Sequence, residues 1–394
     1  MKSAIKTIVV SALGLVVLIG LLGMFVVTGP VRGSQLLWPV VEYFAIEEFV
    51  GVTTGGQIRP NLFEISPTQV SIEPVVTAAN QFLDSLTQIQ REDILFEVDD
   101  KEWQRWANIH LSTRQGVGFL DMTQVQAEAA FALIRSGLSA RGYQTARDVM
   151  RLEGHLADLL DNHTEYGEQR YWLTIMGVPS TTEPWGWQLD GHHLIVNFFV
   201  LGDQVVMTPT FVGSEPTWAE SGRYAGTRIL EEELLTGLQF INSLRPEQRQ
   251  SAVVNPDKPG NNNRGELFQD NAIVPYEGLP AGDLDAQQRE KLIDLIRLYT
   301  GNIRPGHAEI RLTEVLKFWD ETWFSWVGGT SEEDAFYYRV HSPVVMIEYD
   351  QQTPVALDGP QMPSRRHVHT VVRTPNGNDY GKDLLRQHRA LQPH

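Results

Sequence analysis

Two histidines stand two residues apart in HVHTVVR (367–373), at the head of a run with the alternation of a β-strand. Residues two apart in a strand project to one face, so His367 and His369 offer two imidazoles side by side, a common way to present nitrogen to one metal ion. His192 and His193 are neighbours in WQLDGHHLIVNFFV (187–200), just behind Asp190, and His341 closes YYRVH (337–341). Read as strand residues, His192 and His193 point to opposite faces and Asp190 shares a face with His192. Only one of that pair can then join His367 and His369. Glu348 and Asp350 share a face at the end of PVVMIEYD, and Arg373 closes HVHTVVR.

Imidazoles and carboxylates without thiolates suit zinc, iron or copper, with geometry rather than ligand count choosing among them. The expected ligands are His192 or His193, His341, His367 and His369. Asp190 or Glu348 is expected to act as base or to orient a ligand, and Arg373 to hold an anionic group of the substrate. The chemistry would be hydrolysis by a metal-bound water, or oxidation at an open metal position, on a small molecule. The same residues support another reading, a buried hydrogen-bonded cluster of imidazoles and carboxylates holding two halves of the chain together without metal. The protein would then be a non-catalytic binder of a ligand or partner. Trp185, Trp187, Trp218, Trp323 and Trp326 fall near the same strands and read as core or as the lining of an aromatic cleft. His110, His155, His163 and His307 read as surface or core residues, and His388 and His394 lie in a basic tail. No G-x-S-x-G elbow, H-E-x-x-H helix or phosphate-cradling G-x-x-x-x-G-K-[ST] loop is present.

The elements that must position these residues come twice. FLDSLTQIQR (82–91) answers FINSLRPEQR (240–249), and QGVGFLDMTQVQAEAAFALIR (115–135) answers EGLPAGDLDAQQREKLIDLIR (277–297). YWLTIMG (171–177) answers TWFSWVG (322–328), and residues 187–200 lie without gaps on 337–350. Four matches in one order point to an internal duplication. In each copy apolar residues recur first at helical spacing and then at strand spacing. An α+β fold is expected, two helix-then-β-hairpin halves (71–225 and 226–394) forming one globular body around a central, mostly antiparallel sheet. On the gapless alignment Gly191 meets His341, so His341 and the His192–His193 pair head equivalent strands, which are expected to converge near the local axis. NPDKPGNNNRG (255–265) reads as a surface loop, and 29–70 as a linker.

The chain has 394 residues and a formal charge of −17, a field that repels phosphate backbones, so nucleic acid is not an expected partner. Cysteine is absent, which removes disulfides and a cysteine nucleophile. Residues 1–28 carry Lys2 and Lys6 ahead of an uncharged apolar run and read as an uncleaved signal anchor. The expectation is a single-pass membrane protein with a short cytoplasmic N-terminus and a periplasmic or extracellular body; the alternative is secretion after signal cleavage.

EPWGWQLDGHHL, VLGDQVVMTPTFVGSEP and HVHTVVRTPNGNDYGKDLLRQH resemble the domain of unknown function 3500 family, over nearly all of residues 60 to 390. The resemblance implies an exported protein, with bacterial and fungal relatives and no established reaction. It also implies a histidine directly after Asp350, where this chain has Gln351.

Overall fold

The structure, a computed structural model, describes residues 30–391. The first half contains helices α1 (Pro30–Ala45), α2 (Glu73–Ser85) and α3 (Gln88–Ile94), then strands β1 (Leu95–Phe96) and β2 (Val117–Gly118). Helices α4 (Gln124–Gly137) and α5 (Ala140–Leu160) follow, then strands β3 (Tyr171–Gly177), β4 (Trp185–Gly191), β5 (Leu194–Leu201), β6 (Gln204–Val206) and β7 (Thr210–Ser214). The second half runs through α6 (Glu231–Ser243), α7 (Pro246–Ala252), β8 (Val253–Asn255), β9 (Leu279–Pro280), α8 (Ala286–Thr300) and α9 (His307–Leu316). It closes with β10 (Trp323–Gly328), β11 (Phe336–His341), β12 (Met346–Gln351), β13 (Val368–Arg373) and α10 (Lys382–Leu391). The fold is α+β, and all the strands join one mixed sheet, antiparallel except where β1 meets β3 and β8 meets β10.

Local chemistry repeats between the halves. Thr123 caps α4 and Asp285 caps α8, each in a reciprocal box with a glutamine three residues on. Those glutamines then bridge helices. Gln126 Nε2 donates to Gln90 Oε1 at 2.8 Å and Ser85 O at 3.0 Å, and Gln288 Nε2 donates to Gln248 Oε1 at 2.9 Å and Ser243 O at 3.0 Å. Gly116 and Gly278 hold φ +81° and +93°, and a Cβ there would stand 2.0 and 2.1 Å from the carbonyl oxygens of Leu173 and Phe324. Only glycine tolerates both the backbone angle and that approach.

Pairing corrects the alignment by one residue. Trp172 is opposite Asp190 and Trp323 is opposite His341, so His341 stands in the place of Asp190 and not of Gly191. Likewise Gln188 faces Asn197 where Arg339 faces Glu348. A one-residue slip exchanges sheet faces, so it matters for every side chain beyond it.

One face of the sheet packs on the helices through residues such as Trp187, Phe198, Tyr338 and Tyr349. The other is covered by the segments around Trp103 and Trp106, by residues 258–274 and by α10. Asp190, His341, Glu348, His369 and Arg373 all belong by alternation to this second face. The halves meet where β7 runs antiparallel to β13, Phe211 opposite Val371. That junction sends equivalent hairpin turns to opposite ends of the sheet, so the two strand heads do not converge.

The stretch 29–70 includes α1 and packs on the body, with Val52 fully buried and Thr53 bridging Ile273. The single-pass membrane assignment is corrected. Among the described residues no helix is long and apolar enough to cross a membrane, and the expected anchor, 1–28, lies outside those residues.

Candidate metal centre

His367 precedes β13 and His369 lies within it, and their rings meet with Nε2 to Nε2 at 2.9 Å. His367 Nδ1 donates to the Thr353 carbonyl oxygen at 2.9 Å, with a Glu215 carboxylate oxygen at 3.5 Å. His369 Nδ1 donates to Glu266 Oε1 at 2.7 Å. A carbonyl and a carboxylate only accept, so both Nδ1 atoms carry the proton and both Nε2 atoms turn lone pairs toward each other. Two lone pairs at that separation repel unless a cation lies between them, a proton or a metal ion. Two nitrogens each about 2.0–2.1 Å from one ion stand roughly 2.9–3.4 Å apart, which is the spacing found.

His193 supplies a third nitrogen, within 4.8 Å of both. Contrary to the strand expectation, His192 and His193 form the two-residue turn between β4 and β5, with His193 at φ +62°. Strand alternation does not apply in a turn. Their rings stack 3.7 Å apart, and His193 faces His369 at 5.2 Å and His367 at 5.5 Å between centroids. The Gly213 N–H donates to the His193 carbonyl at 2.8 Å, fixing the turn beside the strand that pairs with β13. Burial lowers the pKa of His192 and His193 well below that of a free imidazole and takes His367 down to about 4, so these rings are neutral and able to ligate.

Acids from separate elements surround the rings. Glu153, on the buried stripe of α5, accepts from His192 Nδ1 at 2.7 Å and lies 3.8 Å from His193 Nδ1. Desolvation raises its carboxyl, against the pull of His193. Glu153, His192 and His193 make a second group with metal-ligand spacing. Burial alone would raise Glu266, but His369, with Asn263 and Gln352, holds it down to about 2. Glu215 accepts the N–H groups of Val355, Ala356 and Leu357, which pins the loop that carries the Thr353 carbonyl.

The remaining residues expected at the site fall in different places. Glu348 accepts the Arg264 and Gly265 N–H groups at 2.9 and 2.8 Å, and Tyr337 Oη–H at 2.7 Å. Asp350 accepts the Asn262 N–H at 2.7 Å and pairs with the buried Lys258 at 2.8 Å. Arg373, with no exposed surface, donates to the carbonyls of Gly265 and Glu266 and pairs with Asp270 and Asp379. These three side chains fasten residues 258–266 to the sheet and so deliver Glu266 to His369. This segment is a largely exposed loop, as read from the sequence, with its inner side held against the sheet, and Arg373 is enclosed beneath it, out of reach of a substrate. Asp190 pairs with Arg114 at 3.3 Å and accepts the Ala107 N–H at 3.3 Å, anchoring the segment between them. His341 shares the face of His369 but lies four residues along β11 from Tyr337, the residue level with Asp350 and His369. That is roughly 13 Å along the strand, and its ring packs on Tyr276. Gln351, where the family resemblance implies histidine, accepts the Phe336 N–H.

Glu153, Glu215 and Glu266 carry no motif in the sequence. His110, read as a surface or core residue, lies 5.4 Å from the His192 ring and 3.4 Å from Glu165. Only the inward stripe of α5 marks Glu153, as an acid at a core position.

Fold and site together define an α+β protein with a buried histidine and carboxylate cluster that could hold a metal ion. The chain belongs to the family described as Protein of unknown function (DUF3500), whose model matches residues 68–382. No curated protein and no solved structure matches it.

Proposed function

We propose that the protein binds a divalent transition metal through His193, His367 and His369 and uses it in a reaction on a small molecule. The observation that carries this reading is the facing Nε2 pair at 2.9 Å, with both Nδ1 atoms already committed to acceptors. Acceptors placed behind ligating histidines in this way set the tautomer of the rings and raise their basicity. An ion held by three protein nitrogens supplies a Lewis acid with coordination positions left for other ligands. Glu153 and Glu266 orient the rings and offset the charge of the ion. Collecting all three nitrogens on one ion requires the His193 ring to shift inward by about 1–2 Å, given ordinary metal–nitrogen distances.

The test is elemental analysis of purified protein, followed by titration of the stripped protein with zinc, ferrous and cupric ions. One ion per chain is expected, and none in the double variant His367→Ala/His369→Ala with the circular dichroism of the folded protein retained. Equal binding by the variant, or no stoichiometric ion in the parent protein, would show a shared proton between His367 and His369 and a purely structural cluster.

A further inference from the structure

Two adjoining hollows of about 630 and 360 Å³ share Trp218, Glu332 and Arg365 in their walls. The larger one is also lined by Glu215 and Arg366. Glu215 is the carboxylate 3.5 Å from His367, and Arg366 immediately precedes that histidine, so the hollow borders the histidine cluster. Arg365 and Arg366 each place a guanidinium 5.9 Å from the Trp218 ring centroid. Their backbones are fixed, Thr217 donating to both carbonyls through its N–H and hydroxyl. Among the described residues neither guanidinium has an ion-pair partner, although the chain carries a net charge of −17. Two like charges held against one indole repel each other, and an anion between them relieves that repulsion. In the smaller hollow the buried Tyr349 contributes to the wall, and its hydroxyl makes no hydrogen bond of normal geometry.

The geometry points to a recognition cleft beside the histidine cluster that takes a small molecule with a single carboxylate and a planar or apolar body. The carboxylate sits between Arg365 and Arg366 in charge-assisted hydrogen bonds, and the body lies over Trp218. Glu332, Glu333, Asp334 and Asp358 also line the larger hollow and repel a polyanion. The cleft thus names the substrate class of the proposed metal site and rests on that reading for its catalytic meaning, while the binding itself does not require the metal. Arg365 and Arg366 take the part that the sequence suggested for Arg373.

Hippurate, its neutral amide and citrate serve as probes, with binding followed by saturation-transfer NMR and by indole fluorescence. Hippurate is expected to bind the full chain, and Arg365→Ala/Arg366→Ala to weaken it by about tenfold or more, as for loss of a charge-assisted pair. Arg365→Lys/Arg366→Lys is expected to restore part of the loss, and the amide and citrate to bind poorly. The His367→Ala/His369→Ala variant is expected to bind hippurate still, so failure of the metal reading leaves this result intact. Absence of hippurate binding, equal binding by the folded alanine variant, or equal binding of citrate would overturn the proposal.

Discussion

His341 provides a test that separates the histidine cluster from the rest of the sheet. It is 1 % exposed, and neither ring nitrogen has a hydrogen-bond partner. Burial first, and then the neighbouring Arg339 guanidinium, lower its pKa to about 3. The unfolded chain binds a proton there below about pH 6.5, whereas the folded chain stays neutral down to about 3. Its contribution to stability is therefore complete above about pH 6.5 and is lost as pH falls from there toward 3, by about 1.4 kcal/mol per pH unit. At about pH 5 the loss is about 2 kcal/mol. Replacing His341 by Leu removes this dependence along with two unsatisfied buried nitrogens. Urea denaturation of parent and His341→Leu from about pH 8 to about pH 5 should show the variant gaining about 2 kcal/mol on the parent over that range. Other titrating groups are common to both proteins and cancel in the difference. A difference that does not change with pH would refute the assignment of a neutral buried imidazole. Metal titration of the same variant should match the parent, and a loss of the ion would return His341 to the ligand set.

Glu266→Gln keeps an acceptor for His369, Asn263 and Gln352 but removes the charge, and should lower metal affinity about 10–100-fold in a chelator competition. Arg373→Met leaves Asp270 and Asp379 buried without their cation and frees the carbonyls of residues 265 and 266. It should destabilise the protein by about 3–5 kcal/mol in urea titration, and a stability within about 1 kcal/mol of the parent would contradict the fastening role of this residue.

Much of the architecture could be read because it is local. The change from helical to strand spacing is a property of short stretches. So is the pairing of His367 with His369, fixed by two-residue periodicity at the start of a strand. The turn at His192 and His193 was less accessible. A hairpin tip and a strand head look alike when the next residues are aliphatic, and the difference decides whether two adjacent rings diverge or stack.

Tertiary structure alone decided which charged groups meet. Glu153, Glu215 and Glu266 come from a helix, a strand end and a long loop, and reach the histidines through packing between elements distant in sequence. His341 was separated from them by the antiparallel junction of β7 and β13, a property of how the halves join that neither half contains. The sequence by itself determined the α+β elements and the offer of imidazoles at one sheet face, because periodicity acts over a few residues. Only the folded chain determined that Glu348 and Arg373 fasten a loop while Glu266 serves a histidine, because the role of a buried charge is set by which opposite charge or donor is packed against it.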